Sequence, residues 1–324
     1  MLKMKERGKV KQPAKEQKPA YAIELRGVSA RRSDAPSLHS VDLHLPAGAV
    51  YLLIGPKDAG KRELLKYIIG PEAPDAGEIY FFGKSSAKAK QAARERLGFF
   101  LGGGFYPYLS AYQNLHYLAL MKGIVRPGKE ARRVLRLCAF EGADRRCSNL
   151  PEAEIKQLGL AAALLGRPEI LILDEALSML DLASVEKIRA ALQELNRSES
   201  LSILLTRNLY TQIGLKFTHI GLIDRGRMVF EMSAESLRKA CRSEIIFKTA
   251  RNPLAVWVLE EKLNIHDYTI DGQQRIHVPA QDMRPEIIGG AMQDAGIRID
   301  LLYESEMNIH DFCRQFLESR KQHA

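Results

Sequence analysis

Apolar and polar positions alternate along residues 21–30 (YAIELRGVSA) and again along 41–46 (VDLHLP), which predicts two strands with one face turned to a core. AVYLLIG (49–55) is a short apolar run closed by glycine and reads as a strand covered on both faces. KRELLKYIIG (61–70) follows a glycine-containing turn as a helix, and GEIYFFGK (77–84) returns as a strand. From 110 to 165 the pattern is mostly helical, through SAYQNLHYLALMKG, EARRVLRLCAF and EAEIKQLGLAAALLG. EILILDEA (169–176) and LSILLTR (201–207) are further buried strands flanking the amphipathic helix SVEKIRAALQELNR (184–197). HIGLIDRGRMVFE (219–231) reads as a hairpin turning at Asp224-Arg225-Gly226. Strands alternating with helices imply an α/β fold, a parallel sheet with helices on its faces.

Beyond about residue 242 the pattern changes. SEIIFKT is a strand, NPLAVWVLEEKL a helix, and HDYTID with QRIHVP a strand pair turning at Asp271-Gly272. A helix (PEIIGGAMQDAG), a strand (IRIDLLYE) and a final helix (MNIHDFCRQFLESR) complete it. The order β-α-β-β-α-β predicts a small C-terminal α+β unit of ferredoxin-like type over 242–324. Residues 1–20 read as a disordered basic arm, with Lys3, Lys5, Arg7, Lys9, Lys11, Lys15 and Lys18 against Glu6 and Glu16. That leaves a core domain at 21–241, with a helical subdomain at about 105–165.

The chain has 324 residues and a formal net charge of +9, part of it in the arm. Residues 3–18 are a candidate contact with anionic lipid headgroups; the plainer reading is a solvated tail. No aromatic residue interleaves these basic ones, so no nucleic-acid partner is expected. No apolar run of about 18 residues or more exists to span a bilayer, and the N-terminus has no secretory apolar segment. The cysteines Cys138, Cys147, Cys241 and Cys313 lack metal-ligand spacing and read as reduced thiols.

The strongest chemical signal lies between the strand at 49–54 and the helix after it. Gly55-Pro56-Lys57-Asp58-Ala59-Gly60-Lys61-Arg62 is a G-x-x-x-x-G-K loop followed by arginine where serine or threonine is usual. Such a loop turns backbone amides and a helix N-terminus onto phosphate oxygens, and its lysine reaches the terminal phosphates. The missing hydroxyl is the group that binds the bridging magnesium ion. Downstream, four apolar residues lead into Asp174 and Glu175 at a strand end. In a phosphate-loop fold Asp174 lies beside the metal and Glu175 is the general base for water. Taken alone, the first motif is also a glycine turn with a solvated lysine, and the second an acid pair capping the next helix.

These motifs, with NLPEAEIKQLGLAAALLGRPEILILDEALSMLD (149–181) and ILLTRNLYT (203–211), resemble the ATP-binding subunits of ABC transporters over about residues 21–235. GFYPYLSAYQNLHYLALMKGI (104–124) is similar to the subclass that exports bacitracin, lantibiotics or sodium. The resemblance implies a P-loop NTPase cassette with a helical insert. It also implies a membrane permease as partner, pairing with a second copy or a related ATPase subunit, and a place at the cytoplasmic face of the cell membrane. Gly55, Gly60 and Lys61 match the phosphate loop, Asp174 and Glu175 the Walker B acids, and Asp181 the D-loop aspartate.

Other positions depart from the family. Asp58 replaces a glycine, Arg62 the hydroxyl, and Arg32 stands where an aromatic residue would stack on adenine. Phe99-Phe100-Leu101-Gly102-Gly103-Gly104 lacks the Q-loop glutamine. Pro151 and Ala153 replace the signature serine and glycine, and Arg207 the switch histidine. Proline has no amide hydrogen to give a phosphate. The losses imply weak ATP binding, no secure Mg2+ site, and hydrolysis that is impaired or absent. The alternatives are an active transport ATPase that tolerates these letters, and a soluble regulator or scaffold. Two structural expectations follow. Arg62 should pair with Asp174 or Glu175 where the metal would sit. Phe105, Tyr106, Tyr108, Leu109 and Tyr112 lie where a permease helix would dock; three or more exposed on one face would form an interaction patch, and the plainer reading is that they pack inside the helical insert.

Overall fold

The computed structural model describes residues 20–31, 37–102, 104–176, 180–208, 216–241, 243–280, 283–306, 309, 312–314 and 316–317. The basic arm through residue 19, Arg32 and Gly103 lie outside the described residues. Strands β1 (Tyr21–Ala30), β2 (Leu38–Pro46) and β3 (Val50–Gly55) lead into helix α1 (Lys61–Ile69) and strand β4 (Ala76–Phe81). Helix α2 (Ala87–Glu95) and strand β5 (Leu97–Phe100) precede the helical insert of α3 (Ala111–Met121), α4 (Pro127–Leu137) and α5 (Glu152–Ala163). Strand β6 (Ile170–Asp174), helix α6 (Leu182–Glu199) and strands β7 (Ser202–Asn208), β8 (His219–Asp224) and β9 (Arg227–Ser233) follow, closed by α7 (Ala234–Ala240).

The main sheet runs β5-β6-β7-β3-β8-β9. Its pairs are parallel from β5 to β8, and β9 adds antiparallel through the β8–β9 hairpin. Alternation along the central strands divides their side chains between two cores. Val50, Leu52 and Ile54 of β3, Leu171 and Leu173 of β6, and Ile203 and Leu205 of β7 join Leu115, Val134, Leu158 and Ile188 from helices α3 to α6. Tyr51, Leu53, Ile170, Ile172 and Leu204 point the other way, against Leu64, Leu65 and Ile68 of α1. That second core is shared with Ile23, Leu25, Leu43 and Leu45 of the antiparallel sheet β2-β1-β4. Both faces of the central strands are therefore covered, which is why they read as unbroken apolar runs.

The C-terminal unit comprises β10 (Ser243–Thr249), α8 (Asn252–Trp257), β11 (Thr269–Ile270), β12 (Arg275–Pro279), α9 (Pro285–Asp294) and β13 (Ile299–Glu306). Helix α8 continues through a π-helical turn at Val258–Lys262. The sheet order β11-β12-β10-β13, antiparallel throughout, is the ferredoxin-like arrangement, with its own core of Ile245, Phe247, Val258, Ile276, Ile288 and Met292. The chain then returns to the first domain: Phe312 and Cys313 join its core, and Phe312 and Phe316 pack on Phe230 of β9. Among the described residues no helix is long and apolar enough to cross a membrane.

Candidate phosphate-binding site

Strand β3 ends at Gly55, where a Cβ would lie 2.2 Å from the Ile223 carbonyl oxygen, so only glycine lets β3 pass β8 so closely. The chain then turns sharply into α1. Asp58 takes φ 64° and Gly60 φ 95°. Position 58 is thus in the left-handed conformation natural to glycine; aspartate tolerates it better than most residues. Helix α1 opens with no side-chain cap, leaving its first amides turned toward the loop. Lys61 is buried and curls back, its Nζ donating to the Gly55 and Pro56 carbonyl oxygens at 2.7 Å each. Burial lowers the Lys61 pKa, against the opposing pull of Glu175, Asp174 and Asp58.

The two acids end β6 beside this loop. Asp174 Oδ1 accepts a hydrogen bond from the fully buried Thr206 hydroxyl at 2.6 Å. The Glu175 amide donates to the Thr206 carbonyl and hydroxyl oxygens, each at 3.3 Å, and Glu175 turns out at φ 48°. Arg62 bridges toward them. Its Nε lies 3.5 Å from Asp174 Oδ2, and its Nη2 donates to the Leu101 carbonyl beyond β5. The Arg62 side chain is 64% exposed and that of Asp174 13%, so the pair is open to solvent on the arginine side rather than buried. The expected pairing of Arg62 with a Walker B acid is present, and Asp174 is the partner. Arg207 lies nearby on β7; burial and Arg189 lower its pKa, while Glu175 raises it. The Arg189 Nε is buried with no acceptor among the described residues.

The stretch at 150–154 opens α5. Leu150 is buried, and Pro151 stands at the cap position with no side-chain bond to the helix. Glu152 and Glu154 occupy the first turn, an acidic start that offsets the positive helix end. Glu154 is bonded by Arg145, and Lys156 lies 3.6 Å from Glu152. Asp181 caps α6, its carboxylate accepting from the Ser184 amide at 2.9 Å; bonds to Ser184 lower its pKa.

The aromatic loop before α3 falls short of the exposure expected of it. Tyr106 and Tyr108 are exposed, at 42% and 65%, but Phe105 and Tyr112 are half-buried against the helical insert, and Leu109 is half-buried too. Those five therefore do not supply three exposed members. The third exposed ring is Tyr117 of α3, edge-on to Tyr106 at 5.4 Å. Asn114, which the sequence pattern did not single out, organises this loop. Its amide accepts from the Tyr106 N–H at 2.8 Å and donates to the Tyr106 and Ser110 carbonyls at 3.0 Å each.

Residues 38–178 match the ABC transporter family. The chain is 27% identical over 301 residues to the bacitracin transport ATP-binding protein of Enterococcus faecalis, covering 92% of this chain and 96% of that protein. It is 27% identical over 218 residues to the lantibiotic transport ATP-binding protein of Streptococcus pyogenes, covering 66% and 93%. A dimeric ATP-binding cassette, solved in a post-hydrolysis state with ADP and Pi, superposes with a TM-score of 0.58 at 21% identity, over 65% of this chain and 98% of that one. The fold is that of an ABC ATPase cassette.

Proposed function

We propose that this chain, whose residues 38–178 match the ABC transporter family, is the nucleotide-binding subunit of an export system and hydrolyses ATP poorly or not at all. The similarity to bacitracin and lantibiotic transport ATP-binding proteins supports the export role. The observation that carries the second half is Arg62, which stands in the loop where a metal-binding hydroxyl is usual and lies 3.5 Å from Asp174.

The residues do not fit Mg2+. That ion asks for near-octahedral oxygens at about 2.0–2.1 Å and gives up water reluctantly. Arg62 offers it no oxygen, and one Asp174 oxygen already serves Thr206. A guanidinium fixed about 5 Å from a divalent ion repels it by about 2 kcal/mol in a water-like medium and about 7 kcal/mol at an effective dielectric near 20. The exposure of Arg62 favours the lower figure, which salt screening reduces further, so the repulsion adds to the missing oxygen ligand rather than acting alone. The signature segment adds to this, since Pro151 and the acidic turn after it are poor partners for a phosphate held by a second subunit. Losing one charge-stabilising donor costs a factor of about 10² to 10³ in rate. An active transport ATPase is the second reading, favoured by the retention of Lys61, Asp174 and Glu175.

The partners in this reading are a membrane permease and a second cassette, a copy of this chain or a relative. Tyr106, Tyr108 and Tyr117 offer the permease an exposed aromatic face. Affinity purification of the tagged full chain from detergent-solubilised membranes tests the role. A multi-helix membrane protein should co-purify in stoichiometric amount. Recovery of the chain alone, with none in the membrane fraction, would leave the regulator or scaffold reading instead.

A further inference from the structure

From the misfit of the pocket with Mg2+ we infer that it takes nucleotide phosphates without a divalent metal, Arg62 serving as the fixed counter-cation. This rests on the reading above that the chain binds nucleotide.

The pocket keeps what holds phosphate and loses what holds metal. The loop turn, the uncapped start of α1 and Lys61 are in place. Where the family's chemistry puts a metal, the Arg62 guanidinium is tethered on two sides, to the Leu101 carbonyl and to Asp174. A tethered guanidinium is already oriented, and its planar fork matches phosphate oxygens as well as carboxylate ones. On binding, it can exchange the 3.5 Å contact with Asp174 for shorter contacts to a terminal phosphate, with Thr206 still bonding the released acid.

The test is a calorimetric titration of the full chain with ATP, once in excess EDTA and once in excess MgCl2, for the wild type, Arg62→Ser and Arg62→Lys. The wild type should bind with the same affinity in both buffers, within about twofold. Arg62→Ser should weaken binding in EDTA about tenfold, the equivalent of ~1.4 kcal/mol, and regain it in MgCl2. Arg62→Lys should keep the metal independence, since it keeps the charge. Wild-type binding that tightens tenfold or more on adding MgCl2 overturns the inference and leaves nucleotide binding standing. An Arg62→Ser chain that matches the wild type in both buffers overturns the role of Arg62. No heat in either buffer, and no competition with a fluorescent ATP analogue, overturns nucleotide binding itself. An unchanged thermal melt for each variant confirms that the folded chain was compared.

Discussion

Replacing Thr206 by valine keeps the shape of a fully buried side chain and removes the hydroxyl that bonds Asp174 at 2.6 Å. A hydrogen bond to a charged group is worth about 1.5–3 kcal/mol when broken from one side. Asp174 is 13% exposed, so water replaces little of the loss. The Glu175 amide keeps one of its two acceptors, the Thr206 carbonyl, so that turn should survive. The expected cost is therefore about 2 kcal/mol. At about 2–4 °C per kcal/mol for a domain of this size, the first domain's melting transition should fall by ~4–8 °C. A double-mutant cycle with Asp174→Asn, followed by denaturant titration, isolates the pair; its coupling should be about 1–2 kcal/mol. A coupling below ~0.5 kcal/mol would show that the hydroxyl does not hold Asp174, and the argument that this oxygen is committed would fail with it.

Burial lowers the Lys61 pKa from 10.5, so the unfolded chain holds more protons than the folded one between the lowered value and 10.5. Stability without ligand should then rise with pH through that window, and Lys61→Met should flatten the rise. Nucleotide affinity should move the opposite way, since the charged amine is the binding form; affinity constant across the window would refute a role for Lys61 in phosphate contact. Asn114→Ala should cost about 2–3 kcal/mol by stranding its loop partners, and hydrogen exchange of the Tyr106 amide should speed up while the central strands stay protected. Gly98→Ala would place a Cβ 1.9 Å from the Ala163 carbonyl oxygen, so a destabilisation of about 3 kcal/mol or more is expected from chemical denaturation.

The central strands and the phosphate loop were legible because their signals are local. Each apolar run of β3, β6 and β7 is buried on both faces, and glycines mark the turn. Helix α2 and strand β5 were not read. The helix sequence AKAKQAARE buries only Ala93, so it carries no apolar stripe, and LGFF is too short to stand out from the glycines after it. The closeness of β5 to α5 was equally hidden, since Gly98 and Gly159 matter only because Ala163 and Phe100 lie against them. In the site, Arg62 and the acids were visible as departures from or matches to a pattern, whereas Thr206 acts through a bond to a residue distant in sequence and Asn114 through bonds to the loop backbone, which no spacing announces. The aromatic loop misled in the other direction. Its composition suggested an exposed patch, yet the helical insert takes Phe105 and Tyr112 partly into its own core and leaves Tyr106 and Tyr108 exposed.

Phosphate release from the full chain, measured in membranes together with the permease and partner cassette proposed above, in the wild type and in Glu175→Gln, separates the two readings. Release should stay at the background of membranes lacking the chain, with no further fall on Glu175→Gln. Turnover of about 1–10 s⁻¹ or more, ordinary for an enzyme, and abolished by Glu175→Gln, would contradict it and establish the chain as an active transport ATPase.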